Sequence, residues 1–359
     1  MKIGIITFHC SYNFGSALQA FALQEAIGSL GHEAVIIDYR SADFDRYRLF
    51  TPSRHPGFVV SELRNLPRSV RRRDSFRRFW RDRLNLTAET YSYRDVARMG
   101  ELNALLDGFV CGSDQIWNLD CTNGVEPPFF LSFASADKRK VAYAPSLAHT
   151  HFRSGNFDAD EVARLLSSFD AISVREGETV GVFQPLVEKK IAVAADPTIL
   201  LPKSSYKTMI SDVVGGPYVF VYELRDCPEL VESARAMASA SGRRVLYVSE
   251  KPLAIPNSRN LFGIGPEDFL SLIAHADLVL SNSFHAMVFS IIFQRPFRVF
   301  EISKDYSRQR DLLRKLGLGD CLSSTVDSRS IPDIDWGSCT SRLEGLRDDS
   351  LSFLRGALA

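Results

Sequence analysis

Three short polar segments in the sequence each directly follow an apolar run of the kind that forms a β-strand. They are residues 11–16, 112–118 and 281–285. In open parallel α/β sheets, ligands bind at the edge formed by the carboxyl ends of the strands. The three segments are therefore the first candidates for ligand-binding or catalytic residues.

The first segment contains Asn13 and Gly15 between a strand and a helix. Glycine lets a backbone approach a ligand closely, and the N–H groups at a helix start favour an anion. A purely structural alternative is that Asn13 and Ser16 form the turn and cap the helix. No G-x-G-x-x-G and no G-x-x-x-x-G-K-[ST] phosphate loop is present. Spacing alone leaves both interpretations open.

The second segment places a carboxylate, amides and an indole directly after a strand. Ser113, Asp114 and Trp117 are its candidates for substrate binding. Carboxylates and amides bind sugar hydroxyls, and an indole stacks on the apolar face of a sugar ring. The alternative is an Asx-type turn followed by a buried tryptophan. The two readings are evenly weighted.

The third segment, which holds Ser283 and His285, gives the sharpest signal. His285 is expected at the first turn of a largely apolar helix. The positive end of the helix dipole favours an anion there, and a neutral imidazole can serve as a base or as a hydrogen-bond donor. The alternative is a hydrogen-bonded core histidine.

Basic residues follow two further strands. Lys304, Arg308 and Arg310 come after the strand at 297–300, and together they could pair with a phosphate and a carboxylate. Arg175 lies just past the strand at 171–174. Its alternative role is a surface ion pair with Glu176 or Glu178, which would contribute little to stability.

Strand and helix patterns alternate along most of the chain, which predicts an α/β fold with parallel sheets covered by helices. The first unit is a strand at 2–8, a helix at 17–30 and a strand at 33–38. The run at 1–8 is too short for a signal peptide and lacks a cleavage site. Turn formers gather near residue 202, so we expect one domain at 1–201, a second at 202–328, and a helical segment at 329–359 that packs back.

The longest stretch without a charged residue is 17 residues, Leu278 to Gln294. This length is at the lower margin for crossing a bilayer. The polar residues at 281–285 interrupt it at one point, which favours a buried strand, a turn and a buried helix.

Composition excludes several classes of function. The chain has 359 residues, with 43 basic and 43 acidic side chains, so there is no whole-protein charge that favours nucleic acid or a membrane. Six cysteines lack a C-x-x-C pair, which argues against a zinc site or a disulfide framework. A cytoplasmic location fits this cysteine usage, and we expect no metal.

Residues 64–83 are strongly basic, in contrast to the neutral chain as a whole. They contain nine arginines and two aspartates, which gives a net charge of +7. Aromatic residues are interspersed among them. One interpretation is a basic amphipathic helix that rests on anionic lipid headgroups at the inner membrane face. The favoured one is a solvated helix whose single apolar seam packs on the domain, since charge runs are usually solvated faces.

The motifs, taken in order, resemble the polysaccharide pyruvyl transferase family. The resemblance depends on the sequences I-I-T at 5–7, N-F-G-S-A-L-Q-A at 13–20, G-S-D-Q-I-W at 112–117, Y-A-P-S at 143–146, S-V-R-E at 173–176, D-P-T at 196–198 and S-F-H-A at 283–286. Each motif is weak alone, but the ordered set is fairly specific. It extends from the first strand to about residue 315.

The resemblance implies a GT-B-like fold, with two Rossmann-like domains facing across a cleft. It also implies transfer of pyruvate from phosphoenolpyruvate to two sugar hydroxyls, forming a cyclic ketal without a further cofactor. His285 and Arg175 match the family's histidine and arginine, and Lys304 falls near a basic residue of the family, with Arg308 or Arg310 as the other possible counterparts. Ala286 departs from the glycine that is common there.

In this interpretation, Arg175 and one of the three later cations bind the donor anions, and His285 binds phosphate or transfers a proton. Asp114 and Asn13 serve the acceptor or act in acid–base catalysis. The acceptor is a free sugar or a lipid-linked oligosaccharide bound by the N-terminal domain, with the donor on the C-terminal domain. The alternatives are a GT-B-type nucleotide-sugar glycosyltransferase and a non-catalytic glycan-binding protein.

Overall fold

The computed structural model describes residues 1–42, 44, 56–147, 158–212, 216–249, 251–301, 307–323 and 333–359, with side chains except at 56–65, 241 and 307. The chain divides into two compact units. The first comprises Met1–Arg48, Arg78–Leu201 and Gly345–Ala359, and the second comprises Leu49–Arg77 and Pro202–Glu344.

The first unit is built on a sheet of seven strands. The strands are β1 (Lys2–Ile6), β2 (Glu33–Arg40), β3 (Leu86–Ser92), β4 (Gly108–Cys111), β5 (Arg139–Ala142), β6 (Ala171–Val174) and β7 (Ile191–Val193). Its helices are α1 (Phe14–Ser29), α3 (Leu119–Thr122), α4 (Ala159–Ser167), α5 (Gly177–Phe183) and α6 (Pro197–Leu200), together with the end of α2 (Pro56–Arg83). Apolar side chains of the strands pack with those of α4, α5 and the intervening loops in a hydrophobic core cluster.

The second unit is built on a sheet of six strands. The strands are β8 (Tyr218–Tyr222), β9 (Arg244–Val248), β10 (Ser258–Asn260), β11 (Leu278–Ser281), β12 (Phe297–Phe300) and β13 (Leu322–Ser323). Its helices are α7 (Lys203–Tyr206), α8 (Pro228–Ser241), α9 (Pro266–His275), α10 (Phe284–Phe293) and α11 (Ser307–Leu316), together with the start of α12 (Trp336–Leu358).

Both sheets are parallel and reverse their strand order at one place. The orders are β3-β2-β1-β4-β5-β6-β7 and β10-β9-β8-β11-β12-β13. The second matches the Rossmann order 3-2-1-4-5-6, and the first extends it by one strand. The switch points, where ligands bind in such sheets, therefore lie between β1 and β4 and between β8 and β11.

The expected α/β class is confirmed, and most predicted elements are present with boundaries shifted by a few residues. Three edge or short strands, β3, β10 and β13, were not predicted. β10 reads Ser258-Arg259-Asn260 and has only three residues, so it shows no apolar alternation. The uncharged stretch at 278–294 forms β11, a turn and α10, as expected. Among the described residues, no helix has the length and hydrophobicity needed to cross a membrane.

The arginine-rich segment belongs to α2, and its aromatic side chains face the protein. Phe76, Phe79 and Trp80 are buried, whereas Arg77 and Arg78 are exposed. Within the first unit, Trp80 stacks on Tyr12 with ring centroids 5.4 Å apart. The apolar seam is thus buried, and among the residues of α2 whose side chains are described, 66–83, those exposed to solvent are mainly arginines.

Candidate functional site

At the switch point of the first unit, Asp114 lies where β4 ends, close to the first turn of α1. Its side chain is 6% exposed. One carboxylate oxygen, Oδ2, accepts a 2.5 Å hydrogen bond from Ser16 Oγ, and Oδ1 accepts one from the backbone N–H of Gln115. The carboxylate is therefore held in a fixed orientation at the edge where a ligand is expected.

The turn that holds Asp114 requires glycine at position 112. Gly112 has φ of +115°, and a Cβ added there would lie 2.1 Å from the backbone oxygen of Tyr143. Any other residue would push β4 away from the chain that follows β5. Gly112 thus fixes where Asp114 emerges from the sheet.

A buried amide network supports the same turn. Gln19, on α1, donates from Nε2 to Thr7 Oγ1 at 2.9 Å and accepts at Oε1 from the backbone N–H of Ser113 at 3.1 Å. Ser113 Oγ donates to the carbonyl of Ala144. Ser113 is fully buried, and its hydrogen bonds hold the turn that precedes Asp114.

Arg175 is buried within a cluster of carboxylates. Its Nε donates to Glu176 Oε1 at 3.0 Å, and one terminal nitrogen donates to Asp196 Oδ2 at 2.7 Å. Burial alone would lower the pKa of Arg175, but the charges of Glu176, Asp196 and Asp114 raise it above its ordinary value. The ion pair between Arg175 and Glu176, expected at the surface, is therefore buried. An anionic ligand would have to compete with these carboxylates for the guanidinium group.

Trp117 is completely buried, which corrects the expectation that it stacks on a sugar. Its ring stacks on Phe130 with centroids 5.1 Å apart, and its Nε1 donates to the carbonyl of Phe129. No face of the indole remains for a ligand. The turn with a buried tryptophan is therefore the correct alternative.

Asn13 caps α1, as the structural alternative proposed. Its Oδ1 accepts from the backbone N–H groups of Gly15 at 2.9 Å and Ser16 at 3.3 Å. Two of the N–H groups that might have bound an anion are thus already satisfied. The remaining charged side chains of this cluster, Asp114, Glu176, Asp196 and Arg175, sum to a negative charge, which suits hydroxyl groups better than a doubly charged anion.

The second unit has its own cluster at the switch point between β8 and β11. Ser283 is the N-cap of α10, and its Oγ accepts from the backbone N–H of Ala286 at 3.4 Å. His285 follows in the first turn and is 8% exposed. The helix N-terminus therefore opens at the expected ligand-binding edge.

One of the three later cations lies beside this helix start. Arg308 has its guanidinium carbon 5.8 Å from the centroid of the Phe284 ring, and that ring meets His285 edge-on at 5.3 Å. Phe284 thus contacts both residues. Arg310 instead pairs with Glu301 at 2.6 Å, and Lys304 lies outside the described residues.

Several polar residues of both clusters were not predicted as site residues. In the first unit these are Ser16, Gln19, Glu176 and Asp196, and in the second they are Glu223 and Asn282. Ser16 and Gln19 lie on α1, and the other four stand immediately after a strand or within the loop that follows one, which was the available signal. No group of three or more metal-binding side chains occurs within the described part of the chain.

Solved structures with a similar fold cover nearly the whole chain. UDP-GlcNAc 2-epimerase from Methanocaldococcus jannaschii aligns with a TM-score of 0.53 at 11% identity, over 97% of this chain and 93% of its own. The S. aureus MnaA–UDP co-structure aligns with a TM-score of 0.53 at 9% identity, over 99% of this chain and 90% of its own. Spinosyn forosaminyltransferase SpnP has a TM-score of 0.46 at 12% identity, over 100% of this chain and 93% of its own. A comparison with curated proteins found no match.

Two Rossmann-like units with polar clusters at their switch points define a GT-B-like α/β protein. The family can be stated as well. The family model for polysaccharide pyruvyl transferase matches residues 13–304, and the chain belongs to that family.

Proposed function

We propose that this protein transfers pyruvate from phosphoenolpyruvate to two hydroxyl groups of a sugar, within a polysaccharide such as an exopolysaccharide or in its precursor, and forms a cyclic ketal. Family membership supports the class of reaction. The two switch-point clusters support a division of labour, because the first is rich in carboxylates and the second has a cation, Arg308, beside a helix N-terminus.

The observation that carries the proposal is the arrangement of Arg308, Phe284 and His285 at the start of α10. Phosphoenolpyruvate has a phosphate and a carboxylate, which are bound by guanidinium groups and by helix-terminal N–H groups. In the proposed site, His285 binds the phosphate or transfers a proton, and Arg308 binds one of the two anionic groups.

The reaction joins the acceptor to the donor in two additions. A first hydroxyl oxygen attacks C2 of phosphoenolpyruvate and loses its proton, while an acid delivers a proton to C3 and makes it a methyl group. The C2–O bond to phosphate then breaks and inorganic phosphate leaves. The second hydroxyl attacks C2, its proton passes to phosphate, and the ring closes. Positive character at C2 is stabilised by neighbouring negative groups.

Asp114 is the proposed acid–base group on the acceptor side. Its carboxylate is oriented by Ser16 and lies at the switch point of the first unit. Asn13 is proposed to contact the acceptor through the part of its side-chain amide that does not cap α1. Arg175 orders the carboxylate cluster around Asp114. The chemistry requires only electrostatic stabilisation and proton transfer, so we propose that no metal or other cofactor takes part.

The nature of the acceptor also determines where in the cell the protein acts. We propose a cytoplasmic enzyme that meets a lipid-linked or free oligosaccharide at the inner membrane face. The exposed arginines of α2 support this contact through charge alone, since the aromatic side chains of the helix are buried.

The test is a phosphate-release assay with phosphoenolpyruvate and a panel of free and lipid-linked oligosaccharides. Wild type should release phosphate only with an acceptor. His285→Gln should lower turnover by about 10²–10⁴-fold if the imidazole transfers a proton. His275→Gln is a matched control. His275 is the last residue of α9, and its Nδ1 lies within hydrogen-bond distance of the carbonyl oxygen of Ser271 on the same helix. Transfer of sugar from a nucleotide sugar, without phosphate release, would identify a glycosyltransferase instead.

A further inference from the structure

The last part of α12, residues 345–359, belongs to the first unit and contacts the segment that follows β7. Ser350 is 4% exposed, and its Oγ accepts a hydrogen bond from the backbone N–H of Ala195 at 2.9 Å. The same hydroxyl donates to the carbonyl of Leu346, one turn earlier on α12, at 2.7 Å. Because the hydroxyl hydrogen is used within its own helix, the oxygen is oriented to act as the acceptor for the segment after β7.

Arg347 holds the other end of the same segment. Its Nε donates to the carbonyl of Ile199 at 2.9 Å, and one terminal nitrogen donates to the carbonyl of Leu201 at 3.4 Å. Ile199 lies in α6 and Leu201 is the C-cap of that helix, so these carbonyls are of the kind that a helix end leaves to other donors. α12 thus binds the chain at residue 195 and again at residues 199 and 201.

Asp196 lies between the two positions that α12 binds, and it is 1% exposed. Its Oδ2 accepts from Arg175 at 2.7 Å, and its Oδ1 accepts from the backbone N–H of Thr198 at 3.0 Å. Arg175 also donates to Glu176 and interacts electrostatically with Asp114. A displacement of residues 195–201 would therefore move the Asp196 carboxylate, and with it the guanidinium group of Arg175.

A second set of contacts leads from α12 to the turn that holds Asp114. Tyr143 is completely buried, and the centroid of its ring lies 6.4 Å from that of Phe353 on α12. Its OH donates to the carbonyl of Ala195 at 2.9 Å. The backbone oxygen of Tyr143 is the atom that a side chain at Gly112 would strike. The contacts of α12 therefore extend to this turn as well as to the D-P-T segment.

We propose that Ser350 and Arg347 are positioning residues for the acceptor side of the reaction. They act through Asp196 and not on the substrate itself, because they hold the segment in which Asp196 orients Arg175 beside Asp114. Both residues lie beyond residue 304, where the match to the family model ends, so the family motifs give no indication of this role. The inference rests on the function proposed above.

Hydrogen exchange of the native full chain tests the structural step without any substrate. Ser350→Ala removes the acceptor of the Ala195 N–H, so amides in a peptide covering residues 191–201 should exchange about 2- to 10-fold faster. Ser352→Ala, which removes an exposed hydroxyl two residues further along α12, is the matched control and should exchange like wild type. Equal exchange in Ser350→Ala and wild type would show that α12 does not hold this segment, and would overturn the inference.

Phosphate release from phosphoenolpyruvate with an active acceptor then tests the functional step, at a temperature where every variant is folded. Ser350→Ala and Arg347→Gln should lower kcat about tenfold, because a small misplacement of reacting groups slows the chemical step. The KM for phosphoenolpyruvate should change less than about twofold, since the proposed donor site lies in the second unit. Ser350→Thr and Arg347→Lys each keep a hydrogen-bonding group and should recover part of the rate. Arg355→Gln, an exposed arginine on α12, should match wild type.

The outcomes distinguish this inference from the proposed function. If Ser350→Ala exchanges faster at 191–201 but both variants turn over at the wild-type rate, the contacts are structural only, and the positioning role is overturned while the proposed function stands. A higher KM for phosphoenolpyruvate with unchanged kcat would place the effect in donor binding and would also overturn that role. If wild type releases no phosphate with any acceptor, the proposed function falls, and the positioning role falls with it.

Discussion

Replacing Arg175 by Gln should destabilise the first unit far more than it alters donor binding. The guanidinium of Arg175 is enclosed with the carboxylates of Glu176 and Asp196, and the side chains involved are 3%, 4% and 0% exposed. Removing one partner of a buried ion pair leaves an uncompensated charge, which typically costs about 3–5 kcal/mol. Because two carboxylates lose their partner here, we expect a loss in that range.

Thermal unfolding measures this loss directly. For a unit of about 150–250 residues, 1 kcal/mol shifts the melting temperature by about 2–4 °C, so the expected decrease is roughly 6–20 °C. Arg164→Gln, an exposed arginine on α4, is the matched control and should lie within about 0.5 kcal/mol of wild type. In a double-mutant cycle, Arg175→Gln combined with Asp196→Asn should show a coupling of about 0.5–3 kcal/mol.

The opposite pattern would refute this reasoning. If Arg175 directly binds a donor anion and its carboxylate partners are incidental, the variant would melt close to wild type. Its KM for phosphoenolpyruvate would rise about tenfold or more, since a charge-assisted hydrogen bond is worth about 1.5–3 kcal/mol. A stable Arg175→Gln protein with weak donor binding would return Arg175 to the donor site.

Three other predictions follow from the described side chains. Burial would raise the pKa of Asp38, but hydrogen bonds from His9 and Arg40 lower it below its usual range; the charged form therefore stabilises the fold above about pH 4, that stability is lost as the pH falls further, and Asp38→Asn should flatten the acid limb of the stability curve. Replacing Arg72, Arg77 and Arg78 by Gln should weaken binding to anionic vesicles by about 3 kcal/mol at low salt with little change in melting temperature; wild type that ignores such vesicles contradicts the membrane contact. Burial raises the pKa of Cys321 to about 12 and that of Cys339 to about 11, so both thiols should resist alkylation at pH 8 until the protein unfolds, and rapid labelling of the native protein would count against it.

The sequence was sufficient to predict the parallel α/β architecture because strands buried on both faces read as short apolar runs. β8 and β11 are entirely buried, and their apolar residues stand out against the polar loops that follow. β10 has no such signal, since its three residues are polar and only partly covered. Its pairing with β9 depends on tertiary contacts that no local pattern reveals.

The position of the candidate residues at the sheet edges was also predictable, but the contacts of each side chain were not. Asp114 and His285 both lie at switch points because the strands before them belong to the reversal of sheet order. Whether a side chain at such a point faces a ligand or the core depends on packing several residues away. Trp117 shows this, since Phe130 and the carbonyl of Phe129 determine where the indole lies.

Much of the family resemblance reflects hydrogen bonds that build the edge of the first sheet. Ser146 Oγ donates to Glu176 at 2.6 Å, Thr198 Oγ1 donates to Asp196 at 2.7 Å, and Tyr143 OH donates to the carbonyl of Ala195 at 2.9 Å. The contact between Thr198 and Asp196 lies within the D-P-T motif, whereas the other two join segments that are far apart in the chain. Their partners could not be assigned from spacing, because strand order determines which loops meet.

The most direct test of the proposed function follows the donor carbon itself. Phosphoenolpyruvate labelled with ¹³C at C2 is incubated with the protein and an acceptor found active in the phosphate-release panel. The proposed function predicts that the label appears as a quaternary ketal carbon bonded to two sugar oxygens, in amounts equal to the phosphate released, and that His285→Gln and Arg308→Gln strongly reduce both. Label that remains in phosphoenolpyruvate or appears only as free pyruvate, in the presence of every acceptor tested, would contradict it.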